Sequence, residues 1–245
     1  MATINGNGNA NTLTGTISAD TIRGNDGDDV IRGREGDDKI FGDDDHDRLY
    51  GDDGNDTIAG GKGEDRMYGG AGNDVITDES GNDIAFGDGG DDRIDLGEGD
   101  DTIDGGTGND ILYGREGNDI LIGGAGRDLL VGDAGNDDMS GGAGADTLVG
   151  GEGNDRIDGG KGNDRMTGGE GGDTFVFTSG KDIITDFESG DDDLDLSGIA
   201  GIDDFGDVVA ASRQVGNNLV LDFGIHEVTL LNTTMSSLDD DDFIL

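Results

Sequence analysis

One apolar residue returns every nine positions, without a slip, from Thr3 to Val176. The series is Ile4, Leu13, Ile22, Ile31, Ile40, Leu49, Ile58, Met67, Ile76, Ala85, Ile94, Ile103, Leu112, Leu121, Leu130, Met139, Leu148, Ile157, Met166 and Phe175, and only Ala85 is small. The flanking residues are mostly polar, as in Arg156-Ile157-Asp158. Such a triplet predicts a short strand whose centre points to one face and whose flanks point to the other. The six residues between triplets, such as Gly105-Gly106-Thr107-Gly108-Asn109-Asp110, predict a turn, because glycine accepts the positive φ angles of tight turns. Strand plus turn takes nine residues, so a full coil takes eighteen, and two small parallel sheets face each other across the apolar row. No single repeat buries its apolar face alone, so the repeats must stack. The predicted fold is all-β, a right-handed parallel β-roll, about 48 Å long for ten coils at about 4.8 Å each.

The turns carry the second periodic signal. Asn11 and Ser18 make the turns of residues 1–23 degenerate. From Gly24 onward every turn ends in aspartate: Asp29, Asp38, Asp47, Asp56, Asp65, Asp74, Asp83, Asp92, Asp101, Asp110, Asp119, Asp128, Asp137, Asp146, Asp155, Asp164 and Asp173. Three turns break the glycine pattern, at Asp45, at Asp78-Glu79-Ser80 and at Leu96. Aspartate tolerates left-handed backbone, so the first two are expected to fit, whereas Leu96 is expected to distort its turn.

Charge gives the aspartates a purpose. The chain of 245 residues has 58 acidic and 15 basic side chains, a net charge of -43, and 31% hydrophobic residues. Such a composition stays unfolded unless something neutralises it. A hard divalent cation with oxygen ligands suits the task, and calcium takes six to eight oxygens from carboxylates and carbonyls. Turns on one edge come from every second repeat, so an ion can sit between neighbouring turns and each Asp can serve two ions. The loop carbonyls of residues such as Gly105, Gly106, Gly108, Gly123, Gly124, Gly126, Gly141, Gly142, Gly144, Gly159, Gly160 and Gly162 would complete the shell. Nine turns on one edge and eight on the other leave up to about fifteen interloop calcium sites, reducing the charge to about -13. Nucleic acid is excluded as a partner by the sign of the charge. There is no cysteine, and no apolar run long enough for a membrane span. Met1-Ala2-Thr3-Ile4-Asn5-Gly6 lacks the basic start and apolar core of a cleavable leader.

After Phe175 the nine-residue period ends. Thr174–Phe177, Asp182–Phe187, Leu194–Ile199, Asn218–Phe223 and Glu227–Leu231 read as longer strands, with a turn at Gly216-Asn217. The expected division is a roll over residues 1–176 and a cap over 177–245, which shields the last coil and its open strand edges.

The repeat G-G-x-G-x-D-x-U-x, U being apolar, resembles the RTX, or haemolysin-type, calcium-binding family. Gly172-Asp173-Thr174-Phe175-Val176-Phe177, Asp182-Ile183-Ile184-Thr185-Asp186-Phe187 and Asp193-Leu194-Asp195-Leu196-Ser197-Gly198 are similar to the C-terminal region of serralysin-type secreted proteases. The terminal Asp242-Phe243-Ile244-Leu245 resembles that family's acidic-plus-apolar tail. The resemblance implies a secreted protein, extracellular or at the surface of a Gram-negative bacterium, exported by type I secretion machinery. It also implies extra ligands at Asp182 and Asp193.

Catalytic motifs are absent: there is no H-E-x-x-H and no G-x-S-x-G. His46 and His226 stand 180 residues apart and are read as structural or solvent-exposed. The expectation is a calcium-binding β-roll without catalysis. Two alternatives remain open: a carbohydrate-binding accessory module and the C-terminal part of a larger secreted enzyme. The first draws on Arg48, Tyr50, Arg66, Tyr68 and Phe86, which stack on one face and could hold extracellular polysaccharide. Finally, Ile111, Tyr113, Leu129, Val131 and Val149 make another face apolar on its outside, which predicts cover by the cap or by a homodimer.

Overall fold

A computed structural model describes all 245 residues. Each triplet is a strand, and each strand pairs in parallel with the one eighteen residues on: Ile22 lies against Ile40, Ile40 against Ile58, Leu112 against Leu130. Odd and even repeats therefore build two separate parallel ladders, a β-solenoid of about 11 turns. Every ninth apolar residue from Ile22 to Phe175, Ala85 included, is fully buried in one continuous core. Ile4 and Leu13 are half-buried, because they close the N-terminal end of the stack.

Strand length varies along the ladders and does not by itself mark the irregular turns. Strands such as Arg66–Ala71 and Ile111–Glu116 run six residues, into the turn. Val75–Thr77 and Arg93–Asp95 stop after three, just before Asp78 and Leu96, as do Thr102–Asp104 and Arg156–Asp158 before the regular turns at Gly105 and Gly159. The Leu96 N–H reaches the Tyr113 carbonyl only at 3.4 Å, while the side chain is fully buried. The turn is distorted, as expected, and the leucine joins the core. Asp45 is accommodated in left-handed backbone at φ 82°.

The parallel pairing continues past Val176. Thr174 pairs with Asp193, nineteen residues on, so one residue has been inserted. Lys181 pairs with Glu227, and Leu194 with Phe243 at the very end of the chain. Between these long steps lie a helix, Phe205–Ala211, and an antiparallel hairpin of Ser212–Val215 and Asn218–Asp222. The helix was not legible in the sequence; it is short, holds Gly206, and starts where the Asp204 carboxylate caps the Asp207 N–H. Phe177, Leu196, Val208, Leu219, Leu221 and Leu230 are buried and extend the core into the cap.

This placement rules out one of the two covers expected for the apolar face, the cap. The cap continues along the stacking axis and does not fold back over the roll. The face bearing Ile111, Tyr113, Leu129, Val131 and Val149 is half-buried, and Ile120 and Ile122 on the opposite sheet are exposed. Tyr113 is flanked by its own neighbours, with the Arg93 and Arg115 guanidiniums 4.6 and 4.7 Å from its ring.

Candidate metal-binding loops

The chemistry lies along the two edges of the roll, where the turns stack. The aspartate ending each turn folds inward under the turn that precedes it along the stack. Its Oδ1 accepts the backbone N–H of the aspartate eighteen residues earlier: Asp128 N–H to Asp146 at 2.9 Å, Asp110 to Asp128 at 2.9 Å, Asp29 to Asp47 at 2.7 Å. All seventeen aspartates from Asp29 to Asp173 are at most 2% exposed. In all seventeen the second oxygen, Oδ2, is buried and has no hydrogen-bond partner. Buried polar atoms are otherwise almost always paired, and an unpaired charged one is costly.

Burial pushes these carboxyls up from the ordinary range, to about 7 for Asp47, Asp56 and Asp92, about 8 for Asp101, and about 6 for Asp110, Asp137, Asp146 and Asp155. Hydrogen bonds from the neighbouring backbone pull the other way and are outweighed. A cation at the free oxygen would reverse the balance.

The glycines divide into two kinds. The first residue of a turn is glycine for space. A Cβ on Gly105 would lie 2.6 Å from Asp110 Oδ2 and 2.8 Å from the Gly123 carbonyl oxygen. Gly123, Gly141 and Gly159 meet the same obstacle from Asp128, Asp146 and Asp164. The second and fourth residues take positive φ, and the second tolerates Asn25, Arg34, Asp52, Arg115 and Asp133 there. Turn carbonyls point at the next loop: Gly108 oxygen would lie 1.5 Å from a Cβ on Gly126, and Gly106 oxygen 2.1 Å from one on Gly124. Gly142, Gly144, Gly160 and Gly162 repeat this relation further along the same edge. Free carboxylate oxygens and converging carbonyls form an all-oxygen donor set, which fits calcium.

Sequence reasoning missed several contributors. The residue before each aspartate forms an outer rail. Asn55 Oδ1 accepts the Asn73 N–H, Asn73 that of Asp91, and Asp91 that of Asn109. Recurrent Asn at that position was the available signal. In the cap, Asp182, which the resemblance did name, continues one inner rail, accepting the Asp164 N–H, and burial raises it to about 7. On the other edge the rail passes to Asp192, which accepts from Asp173; Asp193 lies in the strand instead. The inserted residue shifts the match by one. At the opposite end Asp20 is saturated by the Ala2 and Thr16 N–H groups and the Thr16 hydroxyl, and its carboxyl is lowered. His46 and His226 each use Nδ1 to accept a backbone N–H, from Glu64 and Gly180. Asp78, by contrast, is half-buried beside Asp65 and Asp83, and burial raises its carboxyl to about 9.

Coils that repeat every eighteen residues, with inward carboxylates along both edges, define a metal-binding parallel β-roll. The family described as RTX calcium-binding nonapeptide repeat (4 copies) matches residues 5–40, 41–76, 77–112, 113–148, 140–175 and 149–184, and the chain belongs to it. No curated protein matches the chain. Among solved structures it is similar to the extracellular lipase LipA from Serratia marcescens, at 24% identity and a TM-score of 0.47, over 82% of this chain and 40% of that one. It is also similar to the AlgE6R3 subunit of the Azotobacter vinelandii mannuronan C5-epimerase, at 31% identity and a TM-score of 0.41, over 49% of this chain and 78% of that one. The AlgE6R2 subunit of the same enzyme matches at 29% identity and a TM-score of 0.30, over 56% and 88%. The chain thus spans less than half the length of the lipase. No helix is long and apolar enough to cross a membrane.

Proposed function

We propose that this protein is a secreted β-roll that folds on binding extracellular calcium and acts as a structural or surface-associated module without catalysis. The observation that carries the reading is the set of seventeen buried, unpartnered Oδ2 atoms on Asp29 through Asp173. Each of those aspartates would bind the ions on either side of its turn, with the turn carbonyls completing the shell, to a total of up to about fifteen. Low calcium inside the cell would leave the chain unfolded for type I export, and higher calcium outside would fold it. Residues 1–176 would be the calcium-responsive roll and 177–245 its cap and export signal. The deciding experiment is a calcium titration with circular dichroism, beside calorimetric counting of ions. A chain that is fully folded in excess chelator, or that binds no calcium, sinks the reading.

One observation favours an additional role in binding polysaccharide. Tyr50 and Tyr68 stack at 4.9 Å with 5° between their planes, Tyr68 and Phe86 at 5.1 Å, and the Arg32 guanidinium caps the column 4.1 Å from Tyr50. Aromatic faces and cations in line could take sugar rings and their charged groups. A glycan array probed with the native protein and with Tyr50→Ala and Tyr68→Ala tests this. A homodimer through the Tyr113 and Val131 face is tested by sedimentation of a Leu129→Thr, Val131→Thr protein.

A further inference from the structure

One turn is built differently from its neighbours. From Gly24 on, the first residue of every turn is glycine except at Asp78 and Leu96. Glycine there leaves room for the aspartate of its own turn. At Asp78 the backbone departs: Glu79 lacks the positive φ of Gly61, Gly70, Asp88 and Gly97 at the same turn position. The Asp78 side chain points back toward the preceding turn on its edge, and its Oδ2 lies 1.9 Å from where a Cβ on Gly60 would fall.

The carboxylate is held there. Oδ2 accepts the Gly61 N–H at 3.1 Å, and Oδ1 accepts those of Glu79 and Ser80 at 2.6 and 3.2 Å. One oxygen from each of Asp65, Asp78 and Asp83 lies within 4.8 Å of the other two. Asp65 and Asp83 are 1% exposed, and their Oδ2 atoms are buried and unpartnered. The nearby Lys62 pairs with Asp44 instead. Three carboxylates in so small a space cannot all stay charged unless a cation lies among them. One coil further on the equivalent residue is Leu96, buried and apolar, which adds no oxygen.

We propose that Asp65, Asp78 and Asp83 form a dedicated calcium site, tighter than the repeat intervals and occupied first. The inference rests on the calcium reading of the repeats and adds a charged ligand to it. Ordinary intervals draw on two turn-ending carboxylates; this one has a third, held by three backbone N–H groups. Affinity for calcium rises with the number of charged ligands and with site rigidity. The bound ion would tie two turns together.

The test compares full-length protein with Asp78→Asn, which keeps the shape, and Asp78→Gly, which restores the residue of the regular turns. Calcium is buffered at stepped free concentrations, and bound ions are counted by native mass spectrometry. The expected result is that the native protein retains one ion at free calcium about tenfold below the midpoint for the others, a step lost in both variants. Superimposable binding curves, or a tight step that survives in Asp78→Asn, overturn the proposal and leave the repeat reading intact. Native protein that binds no calcium overturns both.

Discussion

Asp146 accepts the backbone N–H of Asp128 at 2.9 Å through one carboxylate oxygen and keeps the other buried without a partner. The same relation recurs along both edges, so each aspartate braces one neighbour by hydrogen bond and leaves an oxygen for a cation.

The first prediction follows from that sharing. Replacing Asp128 by Asn retains the hydrogen bond but weakens two adjoining intervals at once. The calcium midpoint for folding should rise severalfold, and the transition should lose steepness, because each ion links two turns. Circular dichroism during titration measures both. An unchanged midpoint would show that these carboxylates do not bind the ion.

The second concerns pH. Burial raises Asp47, Asp56 and Asp92 to about 7 and Asp101 to about 8, above the unfolded value of 3.8. A raised pKa means the metal-free fold binds more protons than the unfolded chain. Its stability is therefore greatest below the unfolded value and is lost as pH rises through about 6 to 8. Calcium needs the deprotonated form, so its apparent affinity should move oppositely and weaken as pH falls from 8 to 6. Titrations at pH 8 and pH 6 in the same salt check the sign.

The third separates two kinds of glycine. Gly105→Ala places a methyl group against Asp110 Oδ2 and the Gly123 carbonyl. It should destabilise the calcium-loaded roll by about 1–3 kcal/mol, as overpacking does. Arg115→Gly, at a second position with φ 87°, should change folding far less. Chemical denaturation in saturating calcium compares the two.

The fourth concerns the ends. Truncation after Phe177 removes the strands paired to Met166 and Phe175 and bares a fully buried core. It should greatly weaken calcium-induced folding. Removal of residues 1–23 costs only the half-buried Ile4 and Leu13 and one fully buried core residue, Ile22, and should matter little. The opposite ranking in calcium titrations would refute the idea that the cap templates the roll.

The fifth concerns export. Phe243 is buried and pairs with Leu194, and Asp242 accepts the Gly190 and Asp239 N–H groups at 2.7 Å. Phe243 therefore serves the fold as well as the tail. Ile244 and Leu245 are exposed. Changing these two to Ser should block secretion in a type I system while leaving the calcium response of purified protein unaltered. Undiminished export of that variant would count against the tail as a signal.

The roll and its aspartates were legible in the sequence because the interactions repeat. A strand's partner always lies eighteen residues away, so Ile22, Ile40 and Ile58 announce one another, and Asp29 announces Asp47. Apart from the outer rail of Asn55, Asn73 and Asp91, what escaped reading was aperiodic. The cap depends on pairings such as Lys181 with Glu227 and Leu194 with Phe243, whose spacing obeys no repeat. One inserted residue hands the aspartate rail to Asp192 rather than Asp193. The inward turn of Asp78 depends on the space above Gly60 in the neighbouring coil. Periodicity determined the stack, since translation by one coil restores every contact; packing across coils decided where that symmetry is broken.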